Sequence, residues 1–155
     1  MGLFGKKKDD EAIKIDPRDS EAWYNKCFAL YSLGKYDEAI KMFDEAIKID
    51  PKYTAAWNNK GDLLRSLGKY DEAIKCYDEA IKINPRDANA WDNKGTALHS
   101  LGKYDEAIKM FDEAIKIDPR DADVWNYKGN ALYSLGKHDE AQNCYDKAIE
   151  LGKMN

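Results

Sequence analysis

The chain has 155 residues, 43% of them hydrophobic and 12% aromatic, which supplies the core of one ordinary domain and excludes wholesale disorder. Its 25 basic and 29 acidic residues interleave and leave a net charge of −4, which argues against a phosphate-neutralising surface and hence against nucleic acid as partner. No run approaches the roughly 20 apolar residues of a membrane span, and three widely separated cysteines, Cys27, Cys76 and Cys144, have neither paired nor zinc-binding spacing. They read as small buried hydrophobes of a reducing, cytoplasmic compartment.

The chain opens with MGLFGKKK, an apolar segment too short for a secretory signal, and Lys6 stands where a myristoylation motif after Gly2 requires Ser or Thr. One basic and apolar tip without a second anchor gives no stable membrane attachment. Residues 10–19, DEAIKIDPRD, repeat residues 112–121 letter for letter. They read as the remnant of a second helix whose first helix is missing. Gly5 and Asp9 stand where a full copy has Ala39 and Phe43, so only about two turns of this remnant can be faithful helix.

From Ser20 onward the chain is periodic. SLGKYDEAIKMFDEAIKIDP occupies residues 32–51 and returns unchanged at 100–119, with close copies beginning at residues 66 and 134. Trp23, Trp57, Trp91 and Trp125 keep the same step of 34 residues. Within each copy a polar residue (Thr54, Asp87 or Asp121) is placed to cap a first helix, and Gly34, Gly68, Gly102 or Gly136 suits a left-handed turn. Pro51, Pro85 or Pro119 then ends a second helix. Trp57, Gly61, Leu64 and Leu67 follow helical spacing in the first helix, as do Ala73, Ile74, Tyr77, Ala80 and Ile81 in the second. Small residues such as Gly61 and Ala73 let two backbones approach, and burial of these stripes supplies most of the stability.

Trp, Gly four later, Leu three after that, Gly-x-Tyr, then Ala, an aromatic, Ala and Pro: this pattern resembles the tetratricopeptide repeat, and Ser20 to Asn155 fit it without a gap. The resemblance implies an all-α fold, an α-solenoid of tandem helix-turn-helix hairpins in a right-handed superhelix, with a concave face lined by first helices. It divides the chain into residues 1–19 (tip and partial repeat) and repeats at 20–53, 54–87, 88–121 and 122–155, all in a single solenoid domain. The sequence departs at Lys26, Lys60, Lys94 and Lys128, where the family's pattern favours Leu. A stem lying along the core with its ammonium in water reconciles the difference.

If the repeated letters are scaffold, function lies where the copies differ, and that is along the first helices. Groove-facing positions fall two before and one, two, five and eight after each tryptophan. In the first copy this selects Glu21, Tyr24, Asn25, Phe28 and Tyr31; in the second Ala55, Asn58, Asn59, Asp62 and Arg65; in the third Asn89, Asp92, Asn93, Thr96 and His99; in the fourth Asp123, Asn126, Tyr127, Asn130 and Tyr133. Asn25, Asn59 and Asn93 share one register, and a row of amides can donate to and accept from successive peptide groups of an extended ligand. Tyr24, Phe28 and Tyr31 form one helical stripe, read either as core beneath the upstream remnant or as an anchor pocket for a partner's side chain. Asp62, Asp92 and Asp123 favour a neutral or basic ligand.

The family's chaperone-tail clamp needs cations and asparagines that are Tyr24, Phe28, Asn89 and Asn93 here, with only Asn59 matching, so acidic tails of heat-shock chaperones do not fit. His99 and His138 lie in different copies without a nucleophile beside them and without metal-ligand spacing. No catalytic residue, metal or cofactor is expected. The expected function is a non-catalytic protein-interaction module that binds a peptide segment of a partner. The alternative is a self-associating scaffold, joined by domain swapping or end-to-end stacking through residues 1–19 and 138–151, because Tyr145, Ile149 and Leu151 stay apolar on the outward side of the last hairpin.

Overall fold

The computed structural model describes residues 16–154, so the basic tip, Gly2, Lys6 and residues 10–15 of the partial repeat lie outside the described residues. Within them run eight α-helices: α1 (Ser20–Ser32), α2 (Tyr36–Ile49), α3 (Thr54–Ser66), α4 (Tyr70–Ile83), α5 (Ala88–Ser100), α6 (Tyr104–Ile117), α7 (Ala122–Ser134) and α8 (His138–Gly152). They divide into two compact units, Met1–Pro51 and Lys52–Asn155. The first holds the α1–α2 hairpin; the second holds three hairpins. No helix among the described residues is long and apolar enough to cross a membrane.

The third hairpin shows why these letters form this unit. Asp87 lies in an extended conformation ahead of α5 and its carboxylate accepts from Asn89 N (3.1 Å) and Ala90 N (3.4 Å), which satisfies N–H groups left open at a helix start. Asp121 does the same for α7 and Asp19 for α1. Thr54 departs from the expected pattern: it is the first residue of α3, Tyr53 holds the cap position, and the Thr54 hydroxyl donates back to Lys52 O at 3.4 Å. At the far end of α5, Gly102 turns to φ +75°, Gly102 N donates to His99 O and Lys103 N donates to Leu98 O, both at 2.9 Å. That pair of bonds closes a Schellman turn, and the positive φ selects glycine. α6 follows at once. It has no side-chain cap, but Asp105 and Glu106 sit in its first turn, where the helix dipole favours negative charge.

Packing between the two helices of each hairpin rests on small residues facing rings. Ala73, Ala80, Ala107, Ala114 and Ala141 are fully buried. Gly61, Gly95 and Gly129 lie against the rings of Tyr77, Phe111 and Tyr145, and a Cβ on any of the three would fall 2.6 Å from a ring carbon. In the first unit the corresponding residue is Cys27, which is buried, with its thiol donating to Trp23 O at 3.3 Å. Cys76 and Cys144 are also buried and form no disulfide. Burial pushes the Cys27 thiol up to about 12, so it behaves as a small hydrophobe.

Successive hairpins of the second unit are joined in three ways. Val124 of α7 packs into a cluster with Leu98, Ala107, Phe111, Ala114 and Ala131, and Ile115 lies against it. Trp91 Nε1 donates to Pro85 O (2.9 Å) and Trp125 Nε1 to Pro119 O (3.1 Å), fixing each first helix to the loop before it. The lysines that replace the family's Leu are not left with their ammonium in water alone. Lys94 Nζ lies 2.6 Å from Asp78 of α4, and Lys128 Nζ lies 2.6 Å from Asp112 of α6 and 5.8 Å from the Trp125 ring centroid.

Of the three apolar residues expected on the outward side of the last hairpin, Leu151 is buried and Tyr145 turns inward, its hydroxyl donating to Asn130 Oδ1 at 2.9 Å. Only Ile149 is exposed, at 54%.

Candidate functional site

In the second unit α3 touches α5 and α5 touches α7, so the first helices line up side by side and form its inner face. Several residues at the positions one, two, five and eight after Trp57, Trp91 and Trp125 lie near one another there. Arg65 Nη2 lies 3.9 Å from Asp62 Oδ1, and the Tyr77 hydroxyl donates to the same carboxylate oxygen at 2.7 Å. Burial, and then Asp62, push the Tyr77 phenol well above its ordinary value, so it stays a neutral donor.

Asp92, one turn into α5, is mostly enclosed, and its Oδ1 is buried without a hydrogen-bond partner. Its carboxyl is pushed up to about 7, chiefly by burial, with Asp121, Asp123 and Asp62 adding to the rise and Arg65 opposing it. Four carboxylates therefore meet one guanidinium on this face. Arg65 Nε and His99 Nε2 are also buried without partners.

The floor of the face differs between hairpins. In the second, the Tyr77 hydroxyl reaches Asp62; in the fourth, the Tyr145 hydroxyl reaches Asn130. In the third, the residues at those two places are Phe111 and Thr96, a ring without a hydroxyl and a side chain too short to cross. A pocket lies there, lined by Thr96, His99, Phe111, Tyr127 and Asn130. Phe111 is its buried floor, and Tyr127, 39% exposed, is a wall whose ring centroid stands 6.1 Å from that of Phe111 at 37°. Burial, with Asp92 and Asp123 beyond it, also raises the Tyr127 phenol.

Asn59 and Asn93 occupy the same register on α3 and α5, both half-buried, and Tyr127 continues that register on α7. Asn58, one position earlier, is committed to structure: its Nδ2 donates to Asp87 Oδ2 at 2.7 Å. In the first unit, Asn25 is exposed on α1. Tyr24 lies edge-on to Phe28 at 5.1 Å and to Phe43 at 6.0 Å, while Tyr31 meets Tyr36 at 5.4 Å. Tyr24 is thus built into its own hairpin, whereas Phe28 and Tyr31 stay about half exposed, at 48% and 50%. Phe111 was not among the residues expected in the site. The signal for it was the change of a second-helix aromatic together with the residue fifteen positions before it: Asp62 with Tyr77, Thr96 with Phe111, Asn130 with Tyr145.

Tetratricopeptide repeat family models match residues 20–53, 42–75 and 122–153, and a TPR repeat model matches residues 61–102 and 95–136. No curated protein sequence matches the chain. Among solved structures, a crystal structure of MamA superposes with a TM-score of 0.84 at 24% identity, covering 90% of this chain and 81% of that one. MamA 41-end from Desulfovibrio magneticus RS-1 superposes with a TM-score of 0.81 at 25% identity, covering 89% and 78%. A MamA AMB-1 structure gives a TM-score of 0.80 at 24% identity over 91% and 85%. With the helical hairpins, glycine turns and repeated rings described above, these matches place the chain in the tetratricopeptide repeat family.

Proposed function

We propose that this chain is a non-catalytic interaction module that holds a peptide segment of a partner protein along the inner face of its first helices. One observation carries the reading: the pocket on that face is lined mainly by positions at which the copies differ, while the repeated letters are spent on packing. Asn59 and Asn93 are assigned to peptide groups of the ligand; within the first unit Asn25 is assigned to the same kind of group, and Phe28 and Tyr31 offer exposed ring surface. Asp62, Arg65, Asp92, Tyr127 and Asn130 contact side chains. Three buried cysteines, Cys27, Cys76 and Cys144, with no disulfide among them suit a reducing compartment such as the cytoplasm.

The test is a displayed peptide library screened against the wild-type chain and against Asn59→Ala/Asn93→Ala. Peptides retained by the wild type and lost from the double variant support the reading; peptides retained equally by both remove the amide row from it.

A second reading, self-association, rests on Ile149. Its counterpart Ile115 packs against the cluster around Val124, while Ile149 has no described helix over it. A second copy docking on α8 would cover it. Sedimentation equilibrium decides: the reading expects concentration-dependent mass that Ile149→Lys or deletion of residues 1–19 abolishes, and a monomer at all concentrations ends it.

A further inference from the structure

The geometry points to a more specific ligand chemistry for the third hairpin: the pocket between α5 and α7 takes an arginine side chain of the bound segment, its guanidinium against Tyr127 and its charge paired with Asp92. This inference rests on the groove-binding reading above and deepens it.

Three observations converge. The first is a vacancy in the pattern of floors. Tyr77 with Asp62, and Tyr145 with Asn130, close the inner face by hydrogen bonds of 2.7 and 2.9 Å, whereas Thr96 and Phe111 leave the corresponding space to a pocket. The second is shape. An aromatic floor and a half-exposed aromatic wall present ring faces, on which a planar guanidinium stacks and is attracted by the ring quadrupole. The third is charge. Asp92, one turn before Thr96 on α5, has an enclosed Oδ1 without a hydrogen-bond partner and acts on the Tyr127 phenol at the pocket wall, and Asp62, Asp121 and Asp123 add negative potential that Arg65 opposes. A cation from the ligand relieves that excess.

Other side chains fit less well. An apolar one fills the pocket but leaves Asp92 unpartnered, and an acidic one adds a fifth carboxylate. Lysine brings charge as a compact, strongly hydrated ammonium that does not stack. Arginine has five N–H donors in a fixed fork, enough to meet Asp92 and also to reach acceptors on the pocket wall. The Asn130 carbonyl keeps a lone pair beyond the one that Tyr145 uses, and His99 Nε2, buried without a partner, accepts when its proton sits on Nδ1.

The pairing depends on an ionised Asp92, whose carboxyl titrates at about 7. The charged groups that face it are Asp62 and Arg65 from α3, Asp121 and Asp123 at the start of α7, and Tyr127; His99 stands in the pocket on α5 itself. Binding of the guanidinium therefore strengthens as pH rises from 6 to 8.

The experiment titrates the full chain with N-acetyl-argininamide and with its neutral isostere N-acetyl-citrullinamide, followed by amide chemical shifts. The inference expects shifts centred on Asp92, Thr96, His99 and Tyr127, with arginine favoured over citrulline about tenfold at pH 8 and by less at pH 6. Asp92→Asn removes that preference. Thr96→Asn/Phe111→Tyr, which installs the floor of the fourth hairpin in the third, removes binding at this place; circular dichroism confirms that each variant is folded, and Asp92→Asn stands as the test if the double variant is not. Equal shifts with the two amides, or none at these residues, overturn the inference. The peptide library separates the two levels: retained peptides without arginine at a fixed position overturn the arginine pocket and leave groove binding intact, whereas no retained peptide overturns groove binding and the arginine pocket with it.

Discussion

Gly95 and Phe111 stand so close across the α5–α6 hairpin that a Cβ on Gly95 would lie 2.6 Å from Phe111 Cε1. The distance couples scaffold and site, because the ring that forbids a side chain at residue 95 is also the floor of the pocket. Replacement of Gly95 by Ala forces Phe111 to move, and overpacking of this kind costs about 1–3 kcal/mol. Gly95→Ala is expected to lower the thermal midpoint measured by circular dichroism and to weaken ligand binding in the pocket. Gly102→Ala differs in kind. Nothing lies within 4 Å of its added Cβ, so its cost is that of the left-handed backbone, about 1 kcal/mol, with binding unchanged.

Buried charge at Asp92 makes stability depend on pH in a defined direction. The carboxyl titrates at about 7 in the folded chain and near 4 in an unfolded one. Between these values the folded state binds the additional proton, so stability rises as pH falls from about 7 toward about 4, and the full cost of the buried charge is present above 7. Asp92→Asn is expected to stabilise the chain at pH 8 by the order of 1–2 kcal/mol and to change little at pH 5. Thermal melts of both proteins at the two pH values check this; equal midpoint differences would contradict it.

Lys94 with Asp78, and Lys128 with Asp112, join neighbouring hairpins by short ion pairs whose carboxylates stay accessible, with side-chain exposures of 49% and 41%. Such pairs contribute about 0.2–1 kcal/mol and weaken with salt. A double-mutant cycle on Lys94→Met and Asp78→Asn is expected to give a coupling within that range in dilute buffer, and less in 1 M salt. Lys94→Leu, which restores the family's usual residue, is expected to be close to neutral, because its aspartate partner remains hydrated.

Tyr77→Phe tests the origin of the pocket. It removes the hydroxyl that closes the inner face of the second hairpin, at a cost of about 1 kcal/mol, and leaves Asp62 with Arg65 alone. The variant is expected to open a second cavity beside Asp62, visible in a crystal structure.

The sequence made the scaffold legible because each hairpin is built from local spacings: the ring and the glycine it faces, the αL glycine, and the aspartates before α5 and α7. Thr54 could not be placed as a cap from its type alone, since capping depends on which residue leaves the helical backbone first, and there Tyr53 does. The lysines at the Leu register were visible as departures, but the aspartate partners of Lys94 and Lys128 lie on the preceding helix, sixteen residues away. The walls of the pocket were legible and its floor was not. Thr96, His99, Tyr127 and Asn130 fall at groove positions, whereas Phe111 belongs to a repeated core register, and only its missing hydroxyl opposite Thr96 sets it apart. Leu151 shows the converse, an apolar residue at the last described helix that folds back under cover.

The central claim is that the inner face of the first helices binds the partner. Amide chemical-shift mapping of the full chain with a library-selected peptide tests it most directly. The account predicts perturbations along α3, α5 and α7, strongest at Asp92, Thr96 and Tyr127 and lost in Thr96→Asn/Phe111→Tyr. Perturbations confined to α4, α6 and α8, or unchanged in that variant, would contradict it.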